Sequence, residues 1–253
     1  GKSRSGNGAV SRVRFGVDQR CPRNGDAGID PTYGGILGTN GIEVNMKVGL
    51  YFGSFNPIHT GHLIIGQHML SHHGLDEVWF VVTPHNPMKQ AADLAPEADR
   101  LEMVQKVVAD NHRLKAEDVE FGLPRPNYTA HTMDFLRRRH PGWEFRIIIG
   151  EDNLRTLQQW ARWRELVDGV GFLVYPRAKS EGESETPEGT VAPDGQSIVL
   201  SPAPIISISS TYLRTALANG DSARYLLPDG ASDYIREKGL YGFKAEAQHR
   251  GSR

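Results

Sequence analysis

Two histidines at close spacing, His59 and His62, are the side chains of this chain that most directly suggest chemistry. They lie in the stretch 53–62, Gly-Ser-Phe-Asn-Pro-Ile-His-Thr-Gly-His, which directly follows an apolar run at 48–52. This order predicts a buried strand that turns into a helix. Small residues let backbone N–H groups approach an anion, and a helix N-terminus adds partial positive charge. The stretch therefore predicts a site for the phosphates of a nucleotide.

The histidine pair also has two plainer interpretations, a metal site or ordinary structural histidines. A zinc site needs further cysteine or histidine ligands at suitable spacing, and the surrounding sequence offers none. The neighbouring glycines, Ser54, Phe55 and the proline favour the phosphate interpretation. We expect both imidazoles to face the α-phosphate region of a nucleotide, with one of them protonated there. Gly61, between them, has no side chain and would let a phosphate approach the backbone.

Arg214 is the second candidate, and it ends the string Ile-Ser-Ser-Thr-Tyr-Leu-Arg at 208–214. Ser209 or Ser210 is suited to cap a helix predicted over 210–219. Arg214 lies one turn into that helix, so hydroxyls, N–H groups and a guanidinium can converge on the β and γ phosphates of a triphosphate. The alternative interpretation, a capping serine followed by a surface arginine, fits many such strings.

Predicted strands and helices alternate after Met46 and would position these residues. The strands are expected at 48–52, 78–82, 145–149, 170–175 and 197–200, and the helices at 62–73, 97–110, 129–140, 152–168, 210–219 and 231–238. Such alternation predicts an α/β fold, a doubly wound, Rossmann-like parallel sheet in a single domain, with a small helical C-terminal part. Ligands of these sheets bind beyond the carboxyl ends of the strands, where the strand order reverses. Both the histidine turn and the string Gly150-Glu151-Asp152 follow such ends.

Composition limits the classes of partner. The formal charge of −1 and a pI near 6.9 give no general attraction to nucleic acid or to anionic membranes. No apolar run approaches the length that spans a bilayer. A single cysteine, Cys21, excludes an internal disulfide and favours the cytoplasm. Residues 1–45, with ten glycines and no periodicity, are expected to form a disordered tail, residues 46–243 the folded domain, and residues 244–253 a C-terminal tail.

Several strings together resemble the signatures of one superfamily. The stretch at 53–62 is similar to the pattern Gly-Ser/Thr-Phe-Asp-Pro-x-His-x-Gly-His of the HxGH nucleotidyltransferases. Further similar strings narrow the resemblance to the bacterial nicotinate-nucleotide adenylyltransferases, and they lie at 84–89, 128–132, 148–152, Trp160, 208–214 and 226–241. Two positions depart from the pattern, because Phe52 replaces a frequent glycine and Asn56 replaces the usual aspartate. Asn56 is best described as a turn-forming residue.

The resemblance implies adenylyl transfer from ATP to nicotinate mononucleotide, which yields deamido-NAD and pyrophosphate in NAD biosynthesis. The attacking oxygen belongs to an ionised phosphate, so direct in-line attack without a covalent intermediate needs donors and cations but no protein base. The resemblance implies catalytic roles for His59, His62 and Arg214. It implies ATP binding by Gly53, Ser54, Phe55, Gly61, Gly150, Asp152, Ile208, Ser209, Ser210 and Thr211. It implies binding of nicotinate mononucleotide by Lys89, Thr129, Ala130, Trp160 and Ala161.

Within that second group, Trp160 would stack on the pyridine ring and the Ala161 N–H would face the carboxylate. Asp152 would meet a ribose hydroxyl, or else cap a helix. Mg²⁺ is expected to arrive with ATP and to be held mainly by phosphates and water, because the sequence shows no protein cage of ligands.

Other functions stay open at the level of sequence. A pantetheine-phosphate adenylyltransferase or a cytidylyltransferase shares the histidine turn and the arginine-bearing helix. A nucleotide-binding sensor that has lost catalysis is a third possibility, although the chain keeps both histidines and Arg214. The sequence does not decide between nicotinate and nicotinamide mononucleotide, and it allows an oligomer.

Overall fold

A computed structural model describes residues 45–84, 94–178 and 197–243. Six parallel strands form one sheet within these ranges. The strands are β1 (Lys47–Gly53), β2 (Glu77–Val82), β3 (Leu114–Glu117), β4 (Glu144–Gly150), β5 (Phe172–Tyr175) and β6 (Ile198–Leu200). The expected tails, apart from Asn45, lie outside the described residues, as does Lys89.

The order of the strands is β3-β2-β1-β4-β5-β6. The chain moves outward from β1 through β2 to β3 and then returns to the other side of β1 with β4. The order therefore reverses between β1 and β4, whose carboxyl ends are Gly53 and Gly150. In open parallel sheets this is the place where a crevice forms for a ligand.

Seven α-helices are described around the sheet. They are α1 (Thr60–His72), α2 (Glu97–Val108), α3 (Thr129–Arg139), α4 (Glu151–Thr156), α5 (Trp163–Gly169), α6 (Ser210–Asn219) and α7 (Asp229–Lys238). Short 3₁₀ turns occur at Val119–Gly122, Leu157–Gln159 and Leu240–Gly242. The doubly wound α/β fold expected from the sequence is confirmed.

The core has two layers because successive side chains of a strand point to opposite faces of the sheet. On β2, Phe80 packs into one hydrophobic cluster with α1, α2, α6 and α7, and Trp79 packs into the other with α3, α4 and α5. The strands are therefore apolar on both faces, which explains why they appear in the sequence as nearly continuous apolar runs.

Two local predictions were wrong. No strand was expected at β3, whose four residues Leu-Lys-Ala-Glu include two charged side chains and lie at the edge of the sheet. The single helix expected over 152–168 is interrupted between Gln159 and Trp163. Arg162 there has a left-handed backbone with a φ of 55°. Its guanidinium forms an ion pair of 2.6 Å with Glu165, three residues later, and another of 2.6 Å with Asp134 on α3, 28 residues earlier, and these contacts favour the break.

Candidate active site

The turn after β1 is shaped by an aromatic ring that folds back over glycine. Phe55 is buried and has a positive φ of 42°. A Cβ on Gly53 would come within 2.9 Å of the ring Cζ of Phe55, closer than real Cβ contacts allow. Glycine is therefore required at this position for packing, and the backbone of the turn stays open toward the crevice.

The two histidines are stacked at the start of α1. Their ring centroids lie 3.7 Å apart at an interplanar angle of 27°. The backbone N–H of His59 donates to Nδ1 of His62 over 3.2 Å, which leaves the His62 proton, in the neutral ring, on Nε2. His59 Nδ1 is buried and has no hydrogen-bond partner among the described residues. The arrangement leaves Nδ1 of His59 available to a ligand.

His59 is neutral at pH 7. Burial, and then the positive charge of Arg177, lower the pKa of His59 to about 4. The expected protonation of an imidazole in the site does not hold for His59 at pH 7, because burial and the positive charge of Arg177 both oppose a charged ring. A bound polyphosphate would raise the pKa, since it supplies that charge.

Arg100 is a buried residue that stabilises the histidine turn through hydrogen bonds to backbone carbonyl oxygens. Its side chain on α2 is only 1% exposed. The guanidinium donates to the carbonyl oxygens of Ser54 (2.7 Å), Thr83 (2.8 Å), Pro84 (2.9 Å) and Ala95 (3.0 Å). Arg100 thus ties the segment after β1 to the segments after β2 and before α2, and it adds a buried positive charge beneath the turn.

Asn56 links the same turn to two other parts of the fold. Its side-chain Oδ1 accepts from the N–H of Ala95 over 3.0 Å, and its backbone oxygen accepts from Nη1 of Arg214 over 3.0 Å. The side chain is buried. A structural role in the turn is therefore the correct description, and the amide does what the usual aspartate could also do as an acceptor.

The N-terminus of α6 docks against the histidine turn. Ser209 caps the helix, because its Oγ accepts from the N–H of Tyr212 over 3.2 Å, whereas Ser210 donates to the Pro57 oxygen over 3.0 Å. Arg214 is half-buried one turn later. The helix N-terminus, its hydroxyls and the guanidinium therefore lie beside the two imidazoles.

One cavity of about 530 Å³, called here the donor cavity, collects these groups. Its lining includes both expected reacting histidines, Arg214 and all the residues expected to bind ATP except Gly61 and Gly150: Gly53, Ser54, Phe55, His59, His62, Asp152, Ile208, Ser209, Ser210, Thr211 and Arg214. Tyr51, Phe52, Asn56, Leu94, Asn153, Tyr175 and Arg177 complete it.

A second cavity of about 300 Å³, the acceptor cavity, adjoins the first. Its lining includes Thr129, Gly150, Trp160 and Ala161, as well as Thr83, Glu120, Asn127, Tyr128 and Gln159. The two cavities share the residues Tyr51, Phe52, Gly53, Ser54, Asp152, Asn153 and Tyr175. Two ligands could therefore meet across the carboxyl ends of β1 and β4.

Comparisons with known proteins agree with this geometry. The model of the cytidylyltransferase-like family matches residues 50–216. The probable nicotinate-nucleotide adenylyltransferase of Flavobacterium johnsoniae is 41% identical over 196 residues, covering 78% of this chain and 99% of the relative. That of Bacteroides fragilis is 44% identical over 182 residues, covering 72% and 87%. This chain belongs to the nicotinate-nucleotide adenylyltransferase family.

A solved structure shares the fold. The nicotinic acid mononucleotide adenylyltransferase of Plasmodium falciparum, complexed with NaAD, is similar with a TM-score of 0.65 and 20% identity. The similarity covers 79% of this chain and 99% of that one. The family membership suggested by the sequence strings is confirmed, and so is its Rossmann-like sheet.

Some residues expected in this adenylyltransferase site do not line either cavity. Ala130 is buried in the first turn of α3, next to Thr129, which does line the acceptor cavity. Gly61 lies in α1, where a Cβ would come within 2.7 Å of Ile206 Cγ2 and 3.0 Å of His59 Nδ1. Its role in the geometry is to let α1 pack closely against the segment before α6.

Asp152 and Arg177 form a charged pair at the rim of the adenylyltransferase site. The Nε atom of Arg177 lies 3.7 Å from Oδ1 of Asp152, and both side chains are partly exposed. The sequence interpretation included Asp152 but missed Arg177. A signal was present, because Arg177 follows the carboxyl end of β5 just as the histidine turn follows β1. Asp152 does not cap α4 with its side chain, since that helix has no side-chain cap.

The described helices include none that is both long and apolar enough to cross a membrane.

Proposed function

We propose that this chain transfers the adenylyl group of ATP to nicotinate mononucleotide, giving deamido-NAD and pyrophosphate. The observation that carries the proposal is the pair of adjoining cavities at the reversal of strand order. One cavity offers imidazoles, hydroxyls and guanidinium groups suited to a triphosphate, and the other offers an indole suited to an aromatic ring. The names of its relatives support the same reaction.

The reaction needs positioning and charge stabilisation more than acid–base chemistry. A phosphate oxygen of the mononucleotide forms a bond to the α-phosphorus of ATP, and the bond from that phosphorus to the β-phosphate oxygen breaks. Pyrophosphate leaves with the electron pair. Because the attacking oxygen is already ionised, the protein must mainly align two polyanions and stabilise charge on the transferring group.

The donor cavity supplies that stabilisation. We assign His59 and His62 to the α-phosphate region, since their stacked rings lie at the helix start next to Gly53 and Ser54. Arg214, together with the N-terminus of α6 and the hydroxyls of Ser210 and Thr211, is assigned to the β and γ phosphates. The positive charge of Arg177 adds to this field.

The acceptor cavity fits the mononucleotide. Trp160 is half-buried with its ring in edge contact with Phe172, at a centroid distance of 6.4 Å. One face of the indole is then suited to stack on a pyridine ring. The break between α4 and α5 places Trp160 and Ala161 in extended or irregular backbone, where an amide N–H can meet a carboxylate. Thr129 lies opposite, at the start of α3.

Magnesium belongs to the nucleotide substrate in this proposal. No group of three or more His, Cys, Asp or Glu side chains that could hold a metal occurs among the described residues. Among the described residues, Asp152 is the one acidic residue that lines the donor cavity. Phosphate oxygens and water would therefore be the main ligands, and the ion would neutralise charge on the triphosphate. We also propose that the reaction takes place in the cytoplasm, since a single cysteine forms no internal disulfide.

The decisive experiment compares acceptors under identical conditions. Protein with Mg²⁺ and ATP is incubated with nicotinate mononucleotide, nicotinamide mononucleotide or phosphopantetheine, and pyrophosphate is followed to give kcat/KM for each. The proposal requires the highest value with nicotinate mononucleotide. A preference for phosphopantetheine would identify a different transferase, and no release with any acceptor would favour a nucleotide sensor.

Variants of the proposed reacting groups provide a second test. We expect His62→Ala and Arg214→Ala each to lower kcat by about 10²- to 10³-fold, because each removes a donor aimed at developing charge. His112→Ala and Arg236→Ala are matched controls, since both side chains are exposed and outside either cavity. Turnover near that of the wild type in a folded His62→Ala or Arg214→Ala protein would remove that residue from the mechanism.

A further inference from the structure

Two buried phenol groups stand in the wall that the donor and acceptor cavities share. Tyr51 comes from β1 and Tyr175 from the end of β5, and β4 lies between these strands. Their hydroxyl oxygens are 3.0 Å apart, and the rings meet edge to face with centroids 5.8 Å apart. The side chains are 5% and 8% exposed, so neither is a surface residue.

The direction of the hydrogen bond gives the two hydroxyls different roles. Tyr51 donates and Tyr175 accepts. The proton of Tyr175 is therefore left for another acceptor, and the described residues offer no second protein partner for it. Burial, above all, raises the pKa of both phenols, and both stay protonated donors at neutral pH.

The backbone at the end of β4 brings the phenol close to the charged rim. An added Cβ on Gly150 would lie within 3.2 Å of both Tyr175 Cζ and Arg177 Cγ, and would also clash with Asp152 Oδ1. The absence of a side chain at Gly150 thus lets Tyr175, Asp152 and Arg177 converge at the junction of the cavities. A neutral donor, a cation and a carboxylate meet where the two substrates must join.

We propose that the Tyr175 hydroxyl, oriented by Tyr51, donates a hydrogen bond to a non-bridging oxygen of the transferring α-phosphate. This inference rests on the proposed adenylyl transfer and adds a binding residue to it. No proton is transferred to or from the phenol. The bond strengthens as charge builds on the phosphate oxygens during attack, so it stabilises the transition state more than either bound substrate.

A neutral donor has a physical advantage at this position. The site already holds Arg214, Arg177 and Arg100, and the substrates bring a large negative charge. A phenol adds direction and hydrogen bonding without a further charge that must be desolvated. The contribution of Tyr51 is indirect, because its hydroxyl donates to the Tyr175 oxygen and so favours orientations in which the Tyr175 proton points away from Tyr51.

The test uses conservative variants of the full chain. We expect Tyr175→Phe to lower kcat by about 10- to 100-fold, the usual range for a hydrogen bond to a charged group, while the KM values for both substrates change less than about threefold. Tyr51→Phe, a positioning variant, should lower kcat by about threefold to tenfold, because it loosens the orientation of the Tyr175 hydroxyl. Tyr225→Phe is the matched control, since that side chain is 83% exposed.

The double variant separates a coupled pair from two independent effects. If Tyr51 acts through Tyr175, the double variant has the same kcat as Tyr175→Phe alone. Additive losses of kcat in the double variant would show that Tyr51 does not act through Tyr175. An unchanged kcat in Tyr175→Phe would overturn the proposal as a whole. A raised KM with unchanged kcat would likewise refute it, because it would indicate that the hydroxyl stabilises the bound substrate and the transition state equally. Failure of the wild type to release pyrophosphate with any acceptor would remove the proposed function and this inference together.

Discussion

Replacement of Arg100 by methionine should destabilise the protein strongly. The guanidinium is buried and donates to four carbonyl oxygens, at 2.7 to 3.0 Å, from three separate segments. Methionine has a similar length but no donor, so those oxygens would lose their partners. A cation this buried, with no ion pair among the described residues, is retained here because the four carbonyls solvate it.

The size of the effect follows from the number of hydrogen bonds. A buried acceptor left without a partner costs about 1 to 3 kcal/mol, and the lower value applies where water can enter the space. Four such oxygens give about 4 kcal/mol at that lower value. We do not expect a larger total, because Arg100→Met also removes a buried charge, and this partly offsets the loss of the hydrogen bonds. A loss of about 4 kcal/mol corresponds to a fall of about 8 to 16 °C in Tm for a domain of this size.

Equilibrium unfolding in urea measures the prediction, with Tm as a second reading. Arg125→Met is the matched control, because Arg125 forms an exposed 2.7 Å ion pair with Glu97, and we expect it to change the free energy of unfolding by less than about 1 kcal/mol. Arg100→Lys should lie between the two variants, since an ammonium keeps the charge and fewer of the bonds. A loss in Arg100→Met no larger than that in Arg125→Met would refute the account of how the turn is held.

Three further predictions concern residues around the same turn. The pKa of His59 is about 4 in the folded protein and 6.5 in the unfolded chain, so the unfolded state gains the proton first as the pH falls. His59 therefore lowers the free energy of unfolding by about 3 kcal/mol between pH 6.5 and pH 4. A His59→Gln variant, measured by urea unfolding, should lose less unfolding free energy than the wild type over that interval. Gly61→Ala should cost about 1 to 3 kcal/mol of unfolding free energy, because the new methyl meets Ile206 and His59; Gly122→Ala, which has open space, is the control, and equal effects of the two would contradict the packing argument. Ser209→Ala should cost about 0.5 to 2 kcal/mol through loss of the α6 cap, and a Tm equal to that of the wild type would show that the cap is dispensable.

The architecture could be predicted from the sequence because its signals are local. Apolar runs of strand length recur between helical patterns, and buried parallel strands have this appearance whatever their order. The edge strand β3 was missed since its short, half-charged sequence carries no such signal. The interruption at Arg162 was missed for a different reason: two ion pairs with residues on α3 and α5 favour it, and helical periodicity continues through it.

The sequence by itself determined the family, the class of fold and the polar groups that follow the strands, because these depend on residue type and short spacing. Only the tertiary structure decided which groups share a cavity. It brought Arg214 to the histidine turn across more than 150 residues of chain, through a bond to the Asn56 carbonyl. It also joined Tyr51 to Tyr175 and placed Arg177 at the rim. Such contacts depend on strand order, and strand order is set by packing of the whole sheet, which no local pattern contains.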